Sequence, residues 1–201
     1  MKKIVAFVFL LMLGGCMSIP ELNSKMRQID LIWGTEAQRL EDSYRTRAIN
    51  MSKRETISIL SKTFNELDMM VQSQSIYRGY VEAVATAPNP LTNEEWEEVR
   101  KVENPRLREI VGGLAFLPAN PDKYFITITA RVVGNESISV IRLDYHLRNP
   151  EYEAMGIRPS QKAPPEAVKI GSSKIWSIFN EKVSDRNTQL RKRREADPLV
   201  I

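Results

Sequence analysis

Residues 124–147 read YFITITARVVGNESISVIRLDYHL. On both sides of Gly134-Asn135 apolar and polar residues alternate. Successive side chains of a strand point to opposite faces, so this alternation describes strands with one buried and one wet face. Ile126, Ile128, Ala130 and Val132 share one face of the first run, while Thr127, Thr129 and Arg131 share the other. In the second run Ile141, Leu143, Tyr145 and Leu147 alternate with a set that includes His146. Gly-Asn between two such runs is hairpin turn chemistry. The stretch predicts an antiparallel hairpin of residues 124–133 and 137–147, and hence a sheet that buries one of its faces.

The flanking segments supply what that face packs against. Upstream, Ser52-Lys53-Arg54-Glu55 is a capping box, and Ile57, Leu60, Phe64 and Leu67 follow it on one helical face as core candidates. Residues 44–49 alternate and are read as a strand leading into this helix, in preference to the second half of a polar helix over 38–50. Residues 76–87 are rich in β-branched and aromatic side chains and predict another strand, closed by Pro88 and Pro90. A short helix is expected next, with Asn93 as cap, Glu94, Glu95, Glu97 and Glu98 at its positive end, and Trp96 and Val99 on its apolar side. Gly112, Gly113, Pro118 and Pro121 mark a loop before the hairpin. Downstream, Pro164 and Pro165 open a helix expected to run to Ser184, with Val168, Ile175, Ile178, Phe179 and Val183 at helical spacing. Strand, helix, strand, hairpin and helix in this order predict an α+β two-layer sandwich, an antiparallel sheet with helices packed on one face.

The N-terminus is of another kind. Lys2 and Lys3 precede an uninterrupted apolar run from Ile4 to Leu13, the layout of an export signal. At ~1.5 Å per helical residue this run covers only about half of a ~30 Å hydrocarbon core, so it is short for a membrane span. It ends in Leu13-Gly14-Gly15-Cys16, and Cys16 is the only cysteine of the 201 residues. These residues resemble the lipobox of bacterial lipoprotein precursors. The resemblance implies that residues 1–15 are a signal peptide, that the Cys16 thiol receives a diacylglycerol, and that the new amino group is acylated. Two or three acyl chains anchor stably where one does not. Met17 stands where Asp is the familiar retention signal of enteric-type envelopes, so the resemblance further implies the outer membrane, if the organism has one, or otherwise a lipid anchor on the cell membrane.

The organisation expected from these readings is a lipidated Cys16 and polar tether over 16–28, one domain over 29–184, and a polar basic tail over 185–201. Of 29 Lys and Arg, Lys2 and Lys3 leave with the leader, so 27 remain against 25 Asp and Glu. A net charge near +2 gives no general affinity for nucleic acid. With its one cysteine committed to lipid the chain has no disulfide framework, and its stability has to come from packing. From residue 44 to 183 the order of elements resembles the helix-grip modules of small envelope lipoproteins, such as the C lipoprotein of the β-barrel assembly machinery. That resemblance implies an accessory or interaction part in an envelope assembly and carries no residue role across.

Candidate chemistry is sparse. His146 is the only histidine, and a zinc site or a Ser-His-Asp relay would have to recruit Asp and Glu from elsewhere. No G-x-S-x-G, S-x-x-K, H-E-x-x-H or P-loop spacing occurs. Ser172-Ser173-Lys174 would suit a Ser-Lys dyad only if neighbouring helical residues faced each other, which they do not. The acidic run 94–98 reads as a solvated helix start, with Glu97 able to pair with Lys101, and it has no EF-hand spacing. These readings predict no cofactor, no metal and no enzymatic activity. Two functions remain in view. One is a lipid-anchored, non-enzymatic module that binds an envelope protein, with Tyr77, Tyr80 and Trp96 as exposed candidates. The other is a periplasmic hydrolase or ligand-binding protein acting on cell-wall or lipid material. The run Arg191-Lys192-Arg193-Arg194 has two readings as well: cations favoured at a helix C-terminus, or a contact for anionic headgroups.

Overall fold

The hairpin forms as its alternation requires. In the computed structural model, which describes residues 18–112, 117–158 and 161–196 without the side chains at 193, 194 and 196, strands β4 (Phe125–Gly134) and β5 (Ser139–Arg148) pair antiparallel. Ile126 lies opposite Leu147, Ile128 opposite Tyr145, Ala130 opposite Leu143 and Val132 opposite Ile141. The connection is a four-residue loop in place of a two-residue Gly-Asn turn. Asn135 closes it, its side-chain oxygen accepting from the Ser137 and Ile138 N–H groups at 2.8 and 3.0 Å. Gly134 is needed for closeness, since a Cβ there would come within 2.3 Å of the Ile138 carbonyl.

Around this pair the sheet completes itself in the order β1-β5-β4-β3-β2, antiparallel throughout, with β1 (Thr46–Ile49), β2 (Met70–Ser75) and β3 (Tyr80–Thr86). Helix α2 (Lys53–Glu66) starts at Ser52, whose Oγ accepts the Glu55 N–H at 3.3 Å, and Ile57, Leu60 and Phe64 are buried as expected, with Leu67 just past its end. α2 and α5 (Pro165–Ala196) bring Phe64, Val168, Ile175, Trp176 and Phe179 onto Ile128, Ala130, Leu143 and their neighbours. The opposite face of the sheet carries Thr127, Arg131, Arg142 and His146, all partly or fully exposed. The α+β two-layer sandwich is therefore the observed architecture.

Several boundaries move, each for a physical reason. Residues 16–28 do not form a tether throughout: helix α1 (Ile19–Arg39) begins at Ser18, whose hydroxyl caps Glu21, and Pro20 suits its first turn. Its apolar residues are few, but Ile29 and Trp33 bury against Leu107 and Val111 of α3 (Asn93–Val111). The strand read over 44–49 is only β1, since residues Glu41–Arg45 form a π-helical turn whose Arg45 is buried. The single strand over 76–87 is the turn and second strand of a hairpin: β2 precedes it, and Gly79 turns the chain at φ +69°, where a Cβ would meet the Val132 carbonyl at 2.2 Å.

The helix expected to be short is α3, 19 residues long with Pro105 inside it, and its cap is Thr92, which forms a reciprocal capping box with Glu95 in place of Asn93. A further short helix, α4 (Pro150–Ala154), is capped by Asn149. α5 continues past Ser184 to Ala196, so the described part of the tail is helical. Burial ends near Val183 and Arg186, but no Gly or Pro interrupts the sequence between Gly171 and Pro198, and good helix formers carry the helix on. Cys16, the signal-peptide residues and Gly113 lie outside the described residues. Among the described residues, the five-stranded sheet and three apolar clusters give the body a core of its own.

Candidate functional site

Helix α1 presents Leu22, Met26, Ile29 and Trp33 at spacings of four, three and four residues, a single apolar stripe. Ile29 and Trp33 clamp onto α3 through Leu107 and Val111. The N-terminal half of α3 turns Trp96 and Val99 toward Leu91 and toward Ala167 at the start of α5. These helices meet as a frame rather than as a solid core. Between them and the end of the sheet lies a cavity of about 550 Å3, bounded by the α1 stripe, Trp96, Leu107, Pro88, Pro90, Ile126, Leu147 and Ala167. Tyr124 and Tyr152 form one side, their rings edge to face at 6.2 Å and 84°.

The polar groups of the wall are mostly satisfied. The Trp96 indole N–H donates to the Pro118 carbonyl at 2.9 Å. At the rim the Lys123 ammonium is 2.8 Å from the Glu151 carboxylate, and the Asn149 side chain accepts from the Glu151 and Tyr152 N–H groups. Burial pushes the Tyr124 hydroxyl up to about 12, so the phenol is neutral at ordinary pH. Apolar walls whose polar groups are mostly satisfied favour binding an apolar group.

A second hollow, of about 540 Å3, opens where β5 runs on past the end of β1. It is polar, and its carboxylate is fully engaged. Asp144 forms a close ion pair with Arg45 and lies 3.1 Å from Arg131 and 3.4 Å from Arg142, while Arg142 also reaches Glu41 at 2.7 Å. The buried Arg45 guanidinium in addition donates to the Leu143 and Ala37 carbonyls at 2.7 and 3.1 Å. This network ties the π-helical turn and the end of α1 to the sheet, so it has a structural task and we place the candidate site in the apolar cavity.

The residues singled out from the sequence are not brought together. His146 is exposed on the wet face opposite Thr127, and among the described residues no group of three His, Cys, Asp or Glu could hold a metal ion. Ser172 is buried with its hydroxyl 2.8 Å from that of Tyr145, while the Lys174 ammonium is 2.8 Å from Glu95, so no Ser-Lys dyad exists there. Glu97 pairs with Arg100 at 2.6 Å in place of Lys101, and hydrogen bonds from its own backbone N–H and from Thr92 lower the Glu94 pKa. Of the aromatic candidates Tyr77 is 94 % exposed at the β2–β3 turn, Tyr80 is half-buried with its hydroxyl on Ser73, and Trp96 is buried in the cavity wall. Trp33 and the α1 stripe were missed, although their spacing stands in the sequence. With this geometry in hand, comparison with known proteins adds nothing: no family model, no curated protein and no solved structure matches the chain.

Proposed function

We propose that this chain is a lipid-anchored envelope protein whose body works by binding an apolar group and not by catalysing a reaction. The anchor rests on the N-terminal sequence, where Lys2-Lys3, the apolar run and Leu13-Gly14-Gly15-Cys16 resemble a lipoprotein precursor; Met17 favours the outer membrane, with the body facing the periplasm. Among the described residues no helix is long and apolar enough to cross a membrane, so attachment through Cys16 would be what holds the body at the surface. The element order resembling helix-grip lipoproteins agrees with an interaction role in an envelope assembly, in which the bound group would belong to an envelope lipid or protein.

The observation that carries the binding role is the cavity. Protein interiors are packed like organic crystals, with few voids larger than a water molecule. An apolar hollow of about 550 Å3 falls inside the ~300–1,000 Å3 range of ligand pockets. The test is titration of the body, residues 18–196, with a neutral dye whose emission rises in apolar surroundings, such as N-phenyl-1-naphthylamine. The proposal expects a saturable rise that Leu22→Glu abolishes. Leu22 is half-buried near the N-terminal end of α1, where a carboxylate is tolerated by the helix dipole. No saturable rise, or an equal rise in a folded Leu22→Glu protein, would refute it.

A further inference from the structure

We infer that the cavity takes a single-chain carboxylate, a free fatty acid, with its head group against Lys25. The inference rests on the reading of the cavity as an apolar binding site and adds the class of ligand. Lys25 lies on α1 between Leu22 and Met26, lines the cavity and is half-buried. Among the described residues it makes no ion pair, whereas Lys123, the other ammonium of the rim, is held by Glu151. Its Nζ lies 3.9 Å from where a Cβ on Gly112 would stand, at the C-terminal end of α3. The partial negative charge of that helix end attracts the ammonium but is only about half an elementary charge, so it does not neutralise the Lys25 cation.

One positive charge without an ion-pair partner among the described residues, beside a mainly apolar hollow whose other rim cation is paired, matches an amphiphile with one negative charge and one apolar tail. The Glu151 carboxylate repels an anion from the Lys123 side of the rim, which leaves Lys25 as the position for the head. An apolar side chain of a partner protein, or the chain's own acyl groups on Cys16, would fill the hollow without a carboxylate and would leave Lys25 without a role in binding.

Displacement of the neutral dye from the 18–196 body by oleate and by methyl oleate separates these cases. A charge-assisted hydrogen bond in a partly desolvated site gives the acid roughly a tenfold advantage over its ester. The expected result is displacement by oleate at about one tenth of the methyl oleate concentration. Lys25→Gln should remove that advantage of acid over ester, and Lys25→Arg should retain it. Equal displacement by acid and ester, or an advantage that survives Lys25→Gln, overturns the fatty-acid assignment alone. A dye that never binds overturns the assignment together with the reading on which it rests.

Discussion

Glu103 has no solvent exposure, yet it lies where three helices meet. One carboxylate oxygen accepts the Glu166 N–H at 3.0 Å, capping the start of α5 from another helix, and the other takes Arg106 at 3.3 Å. Arg106 also pairs closely with Glu36, so α1, α3 and α5 are joined through one chain of polar contacts. Burial is the largest influence on this carboxyl and raises its pKa above the ordinary 4.5, against the lowering effect of the Glu166 N–H and Arg106. With the folded value above the unfolded one, the stabilisation from protonating Glu103 is fully present below pH 4.5 and is lost as pH rises through the folded pKa. Glu103→Gln, neutral at every pH, lacks this dependence. Urea unfolding of both proteins from pH 4.5 to neutrality should show the native protein losing stability relative to the variant as pH rises; a constant difference would mean that Glu103 does not titrate differently on folding.

At the level of elements, what the sequence disclosed depended on whether an element had a full apolar pattern of its own. α2 and the β4–β5 hairpin did, and both formed with the expected residues inward. β2, Met-Val-Gln-Ser-Gln-Ser, is an edge strand whose side chains are half-exposed or exposed, so nothing in its composition announced it. α1 buries only Ile29 and Trp33, and a helix with so sparse a stripe reads as polar linker until its partner α3 is seen. α5 outruns its apolar face by about three turns, and there propensity alone keeps it helical, with an exposed Arg191–Glu195 pair spaced i,i+4. This favours the helix-end reading of the basic run. Among the described residues, those beyond Arg186 are exposed helix, so ending the chain there should change the stability of the body by no more than about 0.5 kcal/mol, as measured by denaturant unfolding. A larger loss would show that the extension packs on the body.

On the scale of the whole molecule, the cavity was the part least legible in the sequence. Its walls come from segments as far apart as Leu22 and Ala167, and no local spacing relates them. Only the α1 stripe could have pointed to it, and that stripe has the form of any helix packed on a core. The proposed anchor is the reverse case, a local motif that would have a consequence for the whole chain. Cys16→Ser should abolish metabolic labelling with palmitate and release the protein from the membrane fraction, while density-gradient fractionation of the native protein should place it with outer-membrane markers. Persistent label in the variant would overturn the assignment of Cys16. The central claim, that the body binds an apolar group between α1, α3 and the sheet, is tested most directly by tryptophan quenching. Trp33 and Trp96 line the cavity, whereas Trp176 belongs to the main core. In three variants of the body that each keep one tryptophan and carry Phe at the other two, a long-chain brominated alkane should quench the Trp33 and Trp96 proteins and spare the Trp176 protein. Quenching of all three alike, or of none, would contradict the account.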